Sequence, residues 1–335
     1  MIKMKLESYA CAFTFNNSDE AIARFPFPFK SNEYMYYVDV KPYIKGPIGS
    51  PYEHLIDVDE HYISEVYERK RILEQDRSRY GALSHMKTAQ WDALEYIMIN
   101  LSRDYPEYFG LETCGSEWIW RNNILNISDK FKFGDCATLT MEPLEYITRQ
   151  CQGDFFILDQ RDNNLYLDAG MVTFAADFSA QFDFGMSFHE IHGPVPLAHE
   201  MGVYDRVLNV LLNLRIEEPL QRLNWTLTVF PMLDTSTERY HQWGINRSFV
   251  TCDNAGEIVF LRVELQTFIR LPRSNSLMLT TRTYLLSLND LASNREWLSK
   301  FYSIMRSLND KIAEYKGFAK YRNDIITWSD RRLNQ

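Results

Sequence analysis

Cysteine is scarce and unpaired in this chain. The five present, Cys11, Cys114, Cys136, Cys151 and Cys252, are scattered and odd in number, and none makes a C-x-x-C pair. That spacing argues against a disulfide scaffold, a zinc ribbon and a cysteine-held iron–sulfur cluster, so reduced thiols are expected. No apolar run reaches the length of a membrane span. The first residues, Met1-Ile2-Lys3-Met4-Lys5-Leu6-Glu7, carry positive charge with no apolar stretch behind them. A signal peptide and a membrane partner are therefore not expected, and a cytoplasmic location is. Net positive charge is missing as well. The formal charge is −9 with a pI near 5.4, which argues against nucleic acid as a partner. There is no G-x-G-x-x-G, no Walker loop and no G-x-S-x-G elbow. Without a nucleotide loop, any reducing equivalents have to come from a partner.

Apolar and aromatic residues are plentiful. Of 335 residues 45% are hydrophobic, and there are 20 Tyr and 21 Phe, enough for a large core or an aromatic-walled pocket. Pro26, Pro28, Pro42, Pro47 and Pro51 give the first fifty-odd residues the character of an extended arm. Helical spacing follows at Ile63, Val66, Tyr67 and Leu73, then at Trp91, Leu94, Met98 and Leu101, and a third helical piece is expected around Glu117–Arg121. Short strands are expected at Phe155–Asp159, Leu165–Asp168 and Met171–Ala175, with Asp162-Asn163-Asn164 as the turn between the first two. A helix carrying Tyr204, Val207, Leu208, Leu211 and Leu214 comes next. Strands then return at Trp225–Phe230, Ile258–Ile269 and Leu277–Leu286, and one amphipathic helix runs from Trp297 to Ile312. Helices followed by antiparallel strands indicate an α+β fold. The divisions are an arm and helical region at 1–135, a strand-rich core at 136–290 and a C-terminal helix at 291–335.

Three places carry possible chemistry. The first is Ile191-His192-Gly193-Pro194-Val195-Pro196, read as a histidine on a short loop stiffened by two prolines. Imidazole is the commonest metal ligand, and Gly193 would let a flat group approach the backbone. The second is the hairpin joined by Leu271–Ser276. Alternation places Arg262, Glu264, Gln266, Phe268 and Arg270 on one face, joined by Arg282 and Tyr284 if the register agrees. Arginines on such a face can clamp carboxylates through two parallel hydrogen bonds, and a glutamate there can hold a cationic amine. A solvated sheet face is the competing reading. The third is Arg222-Leu223-Asn224-Trp225 at a strand mouth, with polar anchors and a flat wall. His189, His192 and His199 do not make a zinc pattern: His-Glu-Ile-His is not H-E-x-x-H.

Five motifs occur together in order: Ile191–Pro196, Arg222–Trp225, Val263-Glu264-Leu265-Gln266-Thr267, Arg270-Leu271-Pro272-Arg273-Ser274 and Thr281-Arg282-Thr283-Tyr284. With Phe25-Pro26-Phe27-Pro28-Phe29 and Tyr67-Glu68-Arg69-Lys70-Arg71, they make the chain resemble the haem-dependent oxidative N-demethylases, the group that includes the haem subunit of dimethylamine monooxygenase. The resemblance covers most of residues 25 to 290. The chain departs from it at Gln152-Gly153-Asp154, where the family usually has Gln-Glu-Asp. It departs again at Ala176-Asp177-Phe178-Ser179, and at His189, where a small residue is usual.

The resemblance implies a PAS-like antiparallel sheet binding haem b. It implies oxygen activation at the iron and oxidative removal of an N-methyl group, with dimethylamine giving methylamine and formaldehyde. Electrons would come from NADPH through a reductase partner carrying FMN and a 2Fe-2S cluster, in a hetero-oligomeric complex. His192 is then expected as the axial ligand, with His189 in reserve. Arg282, with Arg222 or Arg270, is expected to pair with haem propionates. Asn224 and Trp225 are expected against the cofactor, and Glu264, Tyr284 and Arg282 at the reacting amine. A haem-PAS sensor or carrier of gas or redox state, without turnover, is the alternative, and a silent scaffold subunit is a third reading.

Overall fold

The computed structural model describes residues 15–34, 38–196 and 202–335, so Cys11, the first residues and His199 lie outside the described residues. The strands are β1 Lys41–Pro42, β2 Tyr80–Ala82, β3 Phe109–Cys114, β4 Glu117–Asn122 and β5 Ile127–Lys132. They continue with β6 Asp154–Arg161, β7 Asn164–Met171, β8 Leu220–Val229, β9 Val259–Arg270 and β10 Leu277–Ser287. Seven form one antiparallel sheet in the order β1-β8-β9-β10-β6-β7-β2, and β3-β4-β5 form a second. The helices that matter here are α1 Tyr62–Gln75, α2 Lys87–Asp104, α3 Phe188–His192, α4 Val203–Leu212, α5 Arg295–Ser307, α6 Asp310–Tyr315 and α7 Arg322–Leu333. Mixed helix and antiparallel sheet is the α+β arrangement that the pattern predicts.

Three local expectations need correction. Glu117–Arg121 is not helical but lies within β4, where Trp118, Trp120 and Asn122 alternate inward; the period there is two. The run Met171–Ala175 is not a strand of its own, because β7 ends at Met171. The amides of Thr173 and Phe174 donate instead to the Asp154 carboxylate, at 2.9 and 3.0 Å. The single C-terminal helix breaks at Leu308, which is extended, and the Asn309 side chain then caps a new helix by accepting from the Lys311 amide at 2.9 Å. The hairpin turn at Asp162-Asn163 is as expected: both residues have positive φ, 51° and 54°, and Arg161 pairs with Asn164 across it.

The register of the large sheet sorts its two faces. On one, Val259, Leu261, Val263 and Leu265 of β9 pack with Tyr284 and Leu286 against Leu298, Phe301, Ile304 and Met305 of α5. Lower on that face, Ile269, Met278, Ile157 and Ala169 pack against Leu94, Ile97 and Met98 of α2. On the other face, Asn224, Glu264 and Thr283 lie in one row and Arg222, Gln266 and Thr281 in the next. Leu220, Phe268, Leu279 and Phe156 form a third row, and Arg270, Leu277 and Leu158 a fourth. A bulge at Asp168 re-aims β7 so that Leu167 joins Leu158 in that last row. This face turns from polar to apolar over about four residues of strand, roughly 13 Å.

Candidate functional site

A cavity of about 510 Å³ lies over that second face and runs round the edge of β8 toward the N-terminal arm. This volume is within the range of small-molecule sites. Its floor is Arg222, Asn224, Glu264, Gln266, Phe268, Leu277, Leu279, Phe156, Leu158 and Leu167. Its roof over the apolar rows comes from α3 and α4, through Phe188, His192, Tyr204, Val207 and Leu211. Positions 204, 207 and 211 recur at helical spacing, so α4 presents one face to the cavity.

His192 ends α3 rather than standing on a loop. Ser187 and Glu190 form a capping box: the Glu190 carboxylate accepts from the Ser187 amide at 2.8 Å, and the Ser187 hydroxyl accepts from the Glu190 amide at 3.4 Å. This Ser-x-x-Glu signal was legible in the sequence. Gly193 is helical in conformation, and a Cβ there would meet the Glu190 carbonyl at 3.3 Å. Its lack of a side chain thus suits the tight end of α3. The His192 Nδ1 lies 2.7 Å from the Phe188 carbonyl oxygen. A carbonyl only accepts, so Nδ1 carries the proton and Nε2 is the nitrogen with the lone pair in the neutral ring. The imidazole is held against Phe188 and Tyr204, at ring separations of 4.3 and 4.8 Å.

At the polar end the Glu264 carboxylate is buried. It accepts from Asn224 at 3.2 Å, from Gln266 at 3.3 Å and from the Arg262 guanidinium at 3.3 Å. Arg262 itself is fixed by the Leu233 and Phe174 carbonyls. Lys316, between α6 and α7, enters the same end. Its ammonium donates to the Trp225 carbonyl at 2.5 Å and sits 4.7 Å from the Trp225 ring centre. Burial pushes the Lys316 ammonium down to about 8, with Arg222 adding to the fall and Glu264 and Asp177 opposing it. Asp177 pairs with Arg247 at 2.8 Å. Asp183, also on the wall, is pushed up to about 6 by burial and by Glu238.

The structure thus gathers His192, Arg222, Asn224, Trp225 and Glu264 around one cavity. Trp225 belongs to the opposite face from Asn224 and lines the stretch that turns round β8, against Phe29 and Phe318. His189 does not line the cavity; its Nε2 lies 3.4 Å from Asp205. Arg270 shares the floor face but lies beyond the cavity, donating to the carbonyls of Leu211 and Leu214 at the end of α4 at 2.6 and 3.1 Å.

The expectation that Arg282 and Tyr284 share the Glu264 face is overturned by the register. Arg282 pairs with Leu265 and Tyr284 with Val263, so both point to the other side. There Arg282 bridges Asp59 at 2.6 Å and Glu65 at 2.7 Å, and the Tyr284 hydroxyl donates to Asp57 at 2.7 Å. Lys316 and Asp183 were not singled out from the sequence, and Asp177 stood out only as part of a departure from the family pattern. Lys316 lies in a segment with no motif, and only the return of the chain to β8 brings it in.

Among the described residues, one other group has metal-ligand chemistry, His85, Asp159 and Asp168. Arg161 already binds both carboxylates, so a cation is in place there. No helix of the described residues is long and apolar enough to cross a membrane. A family model described as haem-dependent oxidative N-demethylase, alpha subunit-like, matches residues 48–326.

Proposed function

The chain belongs to the haem-dependent oxidative N-demethylase family, alpha subunit-like, and from that premise we propose that it oxidatively demethylates a small secondary amine, dimethylamine being the simplest. The family description places it in a multi-subunit assembly. The reading takes haem b as cofactor, with residues 136–290 as a PAS-like core. The five strands β6 to β10 support this: they are ordered β8-β9-β10-β6-β7, with the first and last of the five paired at the centre.

The observation that carries the proposal is the His192 hydrogen bond to Phe188. A metal-binding histidine usually donates its other ring proton to a carbonyl or carboxylate, which fixes tautomer and orientation. Here that bond is made at the apolar end of a cavity of about 510 Å³. The residues present fit a porphyrin: one imidazole with a defined lone pair, an apolar floor of Phe268, Leu277, Leu279 and Phe156, and cations at the far end. Haem bound there supplies oxygen activation and the oxidation of the N-methyl group. The overall balance is dimethylamine, O2, NADPH and a proton giving methylamine, formaldehyde, NADP+ and water.

The remaining work belongs to the chain itself. A carboxylate offers about four acceptor positions, and Glu264 uses three of them on Asn224, Gln266 and Arg262. The fourth receives the N–H of a protonated amine. Arg262, Asn224 and Gln266 keep the carboxylate from turning, and the buried surroundings strengthen its grip on a cation. Phe188, Tyr204, Val207 and Leu211 cover the apolar rows and exclude water. As the family resemblance implies, the electrons come from an NADPH-dependent reductase partner with FMN and a 2Fe-2S cluster.

The test is direct. The purified protein, supplied with haem, should show a Soret band and release formaldehyde from dimethylamine with NADPH and the reductase. Binding of oxygen or nitric oxide without formaldehyde would assign the cavity to a sensor or carrier instead. A protein that stays colourless with haem supplied would end the haem reading.

A further inference from the structure

Among the described residues, Lys30, Lys41 and Lys316 are the lysines that line the cavity. Lys30 and Lys41 are exposed, and Lys30 pairs with Asp39 at 2.7 Å. Lys316 is drawn inward. Its side-chain nitrogen lies 4.7 Å from the Trp225 ring centre and donates to the Trp225 carbonyl at 2.5 Å. Arg222, Glu264 and Asp177 are the charged groups that act on it.

The backbone around this lysine is held in place. The Thr226 hydroxyl donates to the Lys316 carbonyl at 3.1 Å, which pins the turn to β8. Gly317, at φ +75°, completes the turn where the Arg247 guanidinium leaves no room for a Cβ. Phe318 is buried against Trp225, at a ring separation of 6.0 Å. The chain therefore delivers the amine to one point of the cavity wall.

An ammonium presents three N–H groups, and the described residues offer this one a single acceptor, the Trp225 carbonyl. A neutral amine that donates one N–H to that carbonyl keeps its lone pair for attack on a carbonyl carbon. An iminium, R–NH+=CH2, retains one N–H and a positive charge. The N–H suits the Trp225 carbonyl, and the charge suits the face of the Trp225 ring. Burial lowers the ammonium to about 8, so roughly a tenth of it is neutral at pH 7.

Resting on the N-demethylase reading, which releases formaldehyde in this cavity, we propose that Lys316 captures a small aldehyde as a covalent imine. The ammonium first gives up a proton. The neutral nitrogen then adds to the carbonyl carbon, and the new C–N bond gives an N-hydroxymethyl-lysine. The proton returns to the hydroxyl, water leaves, and the iminium remains. Ammonium and formaldehyde thus become iminium and water, with no oxidant or reductant consumed. Hydrolysis reverses the step, so the lysine holds the aldehyde without destroying it.

The first arm of the test treats the full-length protein, without haem, with deuterated formaldehyde and sodium cyanoborohydride. Cyanoborohydride reduces an iminium to a stable N-methyl-lysine, which peptide mass mapping locates. Lys316 should be methylated about tenfold faster than the exposed Lys41, because more of the buried amine is neutral. Lys316→Arg keeps the charge over Trp225 and should lose this fast phase alone. Equal rates at Lys316 and Lys41 overturn the proposal. In the second arm the haem-loaded protein turns over deuterated dimethylamine with NADPH, the reductase and cyanoborohydride. Excess polylysine, too large for the cavity, collects aldehyde that escapes to solution. Deuterated methyl on Lys316 is the expected result. Label on polylysine with none on Lys316 overturns the proposal. Label on neither, with Lys316 reactive in the first arm, removes the N-demethylase reading and leaves the aldehyde capture standing.

Discussion

Arg282 and Glu264 sit on neighbouring strands of one hairpin yet face opposite sides of the sheet. Glu264 pairs with Thr283 and Arg282 with Leu265. The cause is the six-residue connection Leu271–Ser276, which pairs Arg270 with Leu277 and so matches even positions of β9 with odd positions of β10. A connection one residue longer or shorter that kept Arg270 in the last pair would bring Arg282 to the cavity. Arg282 instead lies under the floor, where Asp59 and Glu65 claim both ends of its guanidinium.

Arg282→Met is therefore expected to act on stability. Removing one partner from a buried ion pair leaves uncompensated charge and costs about 3–5 kcal/mol. Urea unfolding should show this, while the folded fraction keeps its haem affinity. Loss of haem affinity at unchanged stability would return Arg282 to the cofactor.

His192→Ala should abolish the Soret band of the purified protein, while His189→Ala should keep it. The second histidine stands outside the cavity lining, beside Asp205. A normal spectrum from His192→Ala would remove the axial role.

Glu264→Gln keeps the shape of the side chain and removes its charge. Amine binding should weaken by about 1.5–3 kcal/mol, the range for a hydrogen bond to a charged group. Haem content should stay at the wild-type level. An unchanged KM and binding constant for dimethylamine would show that the carboxylate does not hold the ammonium.

Asp154 links stability to pH. Burial pushes its carboxyl up to about 6 from an ordinary value of 3.8, against the pull of Arg69 and of the Thr173 and Phe174 amides. The folded protein thus holds this proton where the unfolded chain has released it. The contribution is complete below about pH 3.8 and is lost as pH rises through 6. Relative to Asp154→Asn, wild type should lose stability on the order of 3 kcal/mol across that window. Parallel stability curves for the two proteins would refute this.

Gly153 immediately precedes β6, in the tight turn Gln152-Gly153-Asp154. Its φ is +75°, and a Cβ would lie 2.4 Å from the Thr281 carbonyl oxygen. Both the backbone conformation and the contact oppose a side chain, so Gly153→Ala should destabilise by at least about 1–3 kcal/mol. A melting temperature equal to wild type would show that the Gly153 turn relaxes without cost.

Much of the site could be read from residues in a row. Alternation in β9 placed Arg262, Glu264, Gln266, Phe268 and Arg270 together, because period two is a property of the strand alone. The α4 stripe was equally local. Glu117–Arg121 misled because two tryptophans flanked by charge satisfy a short helical window as well as a strand. Capping-box residues Ser187 and Glu190 were present to be read, and they convert the expected histidine loop into the last turn of α3.

The amino-acid order alone settled the α+β class, the family and the strands β6, β7, β9 and β10, since these follow from residue spacing along the chain. Which face Arg282 and Tyr284 occupy depended on how two strands align across a turn. The arrival of Lys316 beside Trp225 depended on a segment 91 residues further along folding back. Such pairings are fixed by packing and register between distant parts of the chain, and local spacing carries no record of them.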